Sequence, residues 1–470
     1  MNVSPMTTTN MTTTKTLTTL TLAFLLTIAL TAGTAAYGQN TATTDQSGSG
    51  NTADVVQESD PNNAEIIQNG DDNDGTLEQM GTGGDAQIYQ GLSGGTAIGN
   101  SAAQTQSGTD AFAEIEQGTG AEAQNNDASQ TQTGGERNEA FIQQGFLSNG
   151  AFSNSATQEQ SGTENFARIG QGTESGSEAT GNTASQTQSG EFNEAFINQG
   201  DFGGQATDNT ATQEQSGSRN SATILQGYVG TEATGNEATQ VQSGSDNIAF
   251  TEQIGSENEA VLRQGLEGTA TDNDATLVQD GADNRTVIDQ VGQNNQSSLS
   301  IVGDGNDEVS TNQDGQDNRT RIEIDGENNE VSAEQIGSNN QSYLNMRGTG
   351  PGPGGEQTLD VDDNTASILQ DGSGNVFSGG LDGDGNTVTV KQLGNGNEIV
   401  GEGGPFDAGG LAIQGMENTA TILQDGTGNM ATLSIMGDMN TAEITQTGTG
   451  HSATTTISGS GNISTITQSN

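Results

Sequence analysis

The chain of 470 residues has no cysteine, no tryptophan, one histidine, five prolines and only ten lysine and arginine residues. Without cysteine there is no disulfide framework and no thiol nucleophile. Against the ten basic residues stand 62 acidic ones, for a formal net charge of −52. That balance disfavours nucleic acid and anionic membrane as partners. Hydrophobic residues make up 28% and aromatics 3%, too few for an ordinary globular core at this length. Composition alone points towards disorder.

What is present argues otherwise. From Asn40 to Gln468 one phrase recurs about every 11 residues: Asn-x-Ala-x-Ile-x-Gln-x-Gly-x-x. Asn418, Asn429, Asn440, His451 and Asn462 open five successive copies, and Gly426, Gly437, Gly448 and Gly459 close four of them. Position six alternates: Gln424, Ile435, Gln446, Ile457, Gln468. The unit is therefore two arms of about 22 residues, and 34 openers make about 17 such units. A short fixed period means one structural unit stacked many times. In the middle of the chain about five residues are inserted after every second arm, as over 172–181, 200–208 and 227–235. Insertions returning at one place in the unit map to one edge of a stack, where a loop is expected to bulge.

Residues 1–38 differ from the rest. Lys15 is their only charge, Leu17 to Leu30 is apolar apart from threonines, and Ala36-Tyr37-Gly38 offers a small-x-small cleavage site. This is a secretory signal-peptide pattern, too short for a transmembrane anchor. The expected organisation is a leader over 1–38, repeats over 39–347, an irregular Gly/Pro seam over 348–363, repeats over 364–402, a second seam over 403–417 and repeats over 418–470.

Each arm reads as a strand. Side chains alternate along a strand, so positions 0, 2, 4, 6 and 8 share one face. In Asn418–Gly426 that face carries Asn, Ala, Ile, Gln and Gly, and the other face is mostly polar. Glycine at position eight supplies the turn. Two arms close one coil, and coils stack about 4.8 Å apart. The inward face is semi-polar, and a buried amide is costly unless paired. Stacked at identical positions, each Asn or Gln can bond its equivalent above and below, a cross-β device. The residues expected to carry assembly are Asn51, Gln57, Asn62, Gln68, Asn154, Gln160, Asn182, Gln188, Asn193, Gln199, Asn209, Gln215, Asn418, Gln424, Asn440 and Gln446. The fold class is all-β, a solenoid of about 17 strand–turn–strand coils.

These residues resemble the curlin repeat, Ser-x5-Gln-x-Gly-x2-Asn-x-Ala-x3-Gln. Asn51 (in the place of Ser), Gln57, Asn62, Ala64 and Ile66 fit it, as do Asn182, Gln188, Gly190, Asn193, Ala195 and Gln199. The resemblance covers nearly all of 40–470. It implies a secreted bacterial fibre subunit of curli type, an amyloid for adhesion and biofilm matrix. The implied partners are further copies of the chain, with a nucleator and secretion machinery. No cofactor, nucleic acid or membrane insertion after leader cleavage is expected.

Other chemistry fits less well. His451 occupies an asparagine position, so its role reads as structural, and no catalytic or metal set stands out. The glycine-rich turns lack the Gly-Lys-Ser/Thr ending of a phosphate loop. Asp382-Gly-Asp384-Gly-Asn386 and Asp304-Gly-Asn306 resemble oxygen-rich cation loops, but a calcium β-roll repeats every nine residues rather than 11. Outward Thr-x-Thr pairs such as Thr419/Thr421 recur without forming the unbroken column an ice-binding face needs. The alternative reading is a calcium-binding or stalk-type extracellular solenoid adhesin that stays monomeric.

Overall fold

The computed structural model describes residues 39–470 except 60, 266–269, 348–360 and 401–409, together with two short strands, Met11–Lys15 and Thr27–Ile28. The rest of the expected leader lies outside the described residues. Every regular element described is a β-strand. Arms alternate between two parallel sheets, and each pairs with the arm one coil later. The result is a β-solenoid of about 15 turns, close to the 17 expected. Two compact units are distinguished: residues 1–240 with 253–255, and residues 241–252 with 256–470.

In the first unit the register runs residue for residue as the period requires. Ala156 pairs with Ala184 and that with Ala211; Ile142, Ile169, Ile197 and Ile224 follow one another in the facing sheet. These alanines and isoleucines are fully buried, so a thin apolar column replaces a globular core. A coil contributes few apolar atoms, but each is covered above and below by its own equivalent. That is how 28% hydrophobic content suffices.

The insertions do not bulge. They form a third ladder of three-residue strands, among them Glu122–Gln124, Gly150–Phe152, Glu178–Thr180, Gln205–Thr207 and Glu232–Thr234. At its centre Ala97, Ala123, Ala151, Ala179, Ala206 and Ala233 are all buried. The ladder begins where Ala97 pairs with the turn glycine Gly70. Each insertion thus converts a turn position into a stacked corner, because its own Ala repeats at the spacing of the coils.

In the second unit most coils return every 22 residues without an inserted corner. The expected seams do not interrupt the stack. Gln335 donates to Gln370 across 348–363 at 2.7 Å, and Gln392 donates to Gln424 across 403–417 at 2.9 Å. The second seam falls within the sequence of one arm. Glu398–Ile399 and Leu411–Gln414 complete that arm, and Leu411 stands opposite Leu433 in the regular register. Long insertions are tolerated because closing a longer loop adds little entropy cost.

The stacking also sets how the charges lie. Identical coils about 4.8 Å apart ought to bring carboxylates face to face. In the described strand registers within each unit they do not. Thr131, Glu159, Thr187 and Glu214 alternate down one column; Glu139, Phe166, Glu194 and Ser221 do so down another. Carboxylates in these strand columns are therefore about 10 Å apart, near the Debye length at 0.1 M salt, whereas in the turns Glu327, Asp362 and Asp384 follow one another in successive coils. Salt should consequently strengthen stacking through the turns more than through the strands.

The turn glycines are the least replaceable positions. Gly190 has φ +105°, and a Cβ there would sit 2.0 Å from the Gly217 carbonyl oxygen. Gly230 has φ +75° with nothing within 4 Å of its missing Cβ. Gly230→Ala should lose roughly 1–2 kcal/mol, the cost of a left-handed alanine. Gly190→Ala should lose more, because backbone must also move. Urea midpoints check the order; equal losses would mean that close stacking at Gly190 costs nothing.

Candidate assembly core: the amide ladders

All the Asn and Gln residues expected to carry assembly are buried. They do not converge on one point but lie in columns parallel to the stack. In one column of the first unit Gln57, Gln79, Gln106, Gln132, Gln160, Gln188 and Gln215 are linked in turn. Each Nε2 donates to the Oε1 of the next. In the facing column Gln46, Gln68, Gln90, Gln117, Gln144, Gln171, Gln199 and Gln226 do the same. From Gln57 and Gln68 onward the second Nε2 proton goes to a main-chain carbonyl of the opposite arm, as from Gln188 to Phe166 at 2.8 Å. Each interior ladder amide thus finds partners for both protons and its oxygen, which removes the penalty for burying it; at the first rung of its column the Gln57 Oε1 has no partner among the described residues.

A further column joins Gln104, Gln130, Gln158, Gln186, Gln213 and Gln240 at position four. It starts at Gln104 because the preceding coil carries Leu77 in that register. The Oε1 of Gln104 has no partner among the described residues. In the second unit one glutamine column continues from Gln242 through Gln424 and Gln446 to Gln468. Opposite it, Ile301, Ile324, Met346, Leu381, Ile413 and Ile435 take the equivalent place and are buried.

The opener asparagines do a different job. The Oδ1 of Asn154 accepts both the main-chain N–H (3.0 Å) and the Nδ2 (3.1 Å) of Asn182. The remaining Nδ2 proton of Asn182 goes to the Ala206 carbonyl at 2.8 Å, tying the arm to a corner. Asn209 repeats the pattern with Asn182 and Ala233. Where the opener is Gly84, its N–H still donates to Asn62 Oδ1 at 3.0 Å, but the side-chain ladder lapses. His451 imitates asparagine. Its N–H donates to Asn429 Oδ1, and its Nε2 lies 3.0 Å from the Thr447 carbonyl, so that nitrogen must carry the proton.

The carboxylates of the cation-like loops accept hydrogen bonds from main-chain or side-chain amides. Asp304 Oδ1 accepts the Ala282 N–H at 2.7 Å, Asp384 Oδ1 the Asp362 N–H at 3.2 Å, and Asp382 Oδ2 the Gln414 amide at 3.2 Å.

Sequence reasoning missed a second buried patch. The inserted corners of the first unit cover part of the outward face, so that Glu116 and Asp201 are buried. Phe112, Phe141, Phe166 and Phe196 zigzag along this face with ring centroids 5.3–5.6 Å apart, and Phe141 stands opposite Glu114. Burial, then the charge of Glu116, pushes the Glu114 carboxyl up to about 7. Burial also raises Glu116, although Gln143 Nε2 donates to it at 2.7 Å. The signal for this patch was available only as phenylalanines at outward positions.

A family model described as a curlin associated repeat matches residues 362–394, 415–448 and 437–469. Those stretches are curlin repeats. The matched curlin repeats all lie where arms follow at 11-residue spacing without an inserted corner. No curated protein matches the chain.

Two outcomes are expected of this core. Gln188→Leu leaves Gln160, Gln215 and the Phe166 carbonyl each short of a bond, at about 1–3 kcal/mol apiece. Glu214→Leu removes an exposed charge and should be near neutral. Urea unfolding compares them; equal effects would overturn the inward assignment. Glu114 has a folded pKa above its unfolded one, so the native state holds the proton more tightly. Its contribution favours the fold at low pH and is lost as pH rises from 4.5 through about 7. Glu114→Gln should therefore be more stable than the parent at pH 8 and differ little at pH 4, measured by urea midpoints at both.

Proposed function

We propose that the chain is a secreted structural protein that assembles into curli-like amyloid fibres for cell adhesion and biofilm matrix. The observation that carries this is the in-register parallel stack, in which the same Asn or Gln meets itself in coil after coil. That arrangement is cross-β geometry within one chain. The leader pattern over 1–38 supports export, and the curlin repeats support an extracellular structural role. Ladder glutamines and asparagines carry assembly, because an amide at an open strand edge bonds an incoming copy as it bonds its own neighbours. No catalytic step is assigned.

The test is to purify residues 39–470 as soluble monomer and follow them with time. Fibres appearing after a lag, with the 4.7–4.8 Å cross-β reflection, are the expected result. Protein that stays monomeric at high concentration would favour the stalk-type adhesin instead.

A further inference from the structure

The outward face of the second unit carries a cleft of about 270 Å³. Three neighbouring strands build it: Asp274–Ala282, Gln296–Val302 and Arg319–Asp325. Register puts Asp274, Gln296 and Arg319 in one row and Thr276, Ser298 and Arg321 in the next. The dip exists because Thr276 and Ser298 are short; one coil further on, Tyr343 fills their row.

Its charge is out of character for the chain, which has ten basic residues against 62 acidic. Arg137, Arg263 and Arg285 are each paired to a carboxylate of a neighbouring coil. Arg321 is held by the Glu323 carboxylate and stands over the Tyr343 ring at 5.6 Å. Arg319 has no ion-pair partner among the described residues. It leaves a planar, permanently charged fork at the rim, the geometry that takes a carboxylate bidentately. Below it lie an amide and two hydroxyls. At the far end, two coils or about 10 Å away, Asp274 accepts hydroxyl protons and repels a second anion.

A ligand matching this sequence of groups has one oxyanion at one end and a hydroxylated body. We propose that the cleft binds a uronic-acid residue of an acidic polysaccharide. The carboxylate sits on Arg319 and the ring hydroxyls meet Gln296, Ser298, Thr276 and Asp274. The cleft is shallow and open, so it takes one sugar of a longer chain. The global charge opposes an acidic polymer, so binding should tighten with moderate salt, the reverse of a simple ionic contact. None of this depends on whether the protein forms fibres.

The test is saturation-transfer NMR and titration of the purified chain with glucuronic acid and trigalacturonic acid, with glucose and acetate as controls. Expected is binding of both uronates, with glucose and acetate at least tenfold weaker. Arg319→Gln should weaken binding at least tenfold and Arg319→Lys several-fold. Ser298→Leu, which fills the dip, should abolish it, and Arg285→Gln should leave it unchanged. Circular dichroism of each variant checks that the fold is kept. Acetate binding as well as glucuronate would reduce the site to an oxyanion contact and overturn the proposal. So would absence of uronate binding, an unaffected Ser298→Leu variant, or an equal loss in Arg285→Gln.

Discussion

The structure depends on one constraint: each strand residue faces, about 4.8 Å away across the ladder, the residue at the same position of the next coil. Parallel in-register pairing imposes this on main chain and side chain alike. A choice that suits self-contact is then repeated down a column, and one that does not is excluded. Amides satisfy themselves, as from Gln158 to Gln186 at 2.9 Å. Alanine and isoleucine cover themselves. Like charges cannot, and the strand registers show Glu159 and Glu214 separated by Thr187. Glycine is required where the chain turns because carbonyl oxygens of adjacent coils crowd its Cα, as at Gly190.

Self-contact also explains why so little apolar material holds the fold. A globular domain buries side chains against unlike neighbours and needs enough of them to surround a centre. Here two facing sheets supply a narrow strip of Ala and Ile, and amide ladders take up much of the remaining interior. Few positions are free, and at the substituted openers Gly84 and His451 the main-chain N–H still reaches the preceding Asn Oδ1.

The period carried the fold because the constraint acts on every coil. Strand phase, the inward amides and the turn glycines were all legible in the 11-residue repeat. What escaped is what the period does not encode. The inserted corners looked like loops because only three residues of each enter a strand, and their shared alanine is visible only after alignment coil by coil. The half-buried position of Glu114 and the burial of Glu116 arise from those corners, so they escaped for the same reason. Prolines 351, 353 and 405 marked irregular sequence, yet the described arms on either side of each stretch stay in one ladder. The strand on the far side returns to the common register, as Leu411 does opposite Leu433.

The two kinds of ladder run in opposite senses. In the glutamine columns the amide N–H points towards the later coil, as from Gln160 to Gln188; in the asparagine columns it points towards the earlier one, as from Asn182 to Asn154. An amide carries a dipole of about 3.5 D, and aligned amides add up along a helix to a macrodipole. A stack of glutamines alone would accumulate such a field with every coil added. With asparagines opposing glutamines the axial components offset one another in part, so lengthening the stack adds amide bonds while building up less polarisation along its axis.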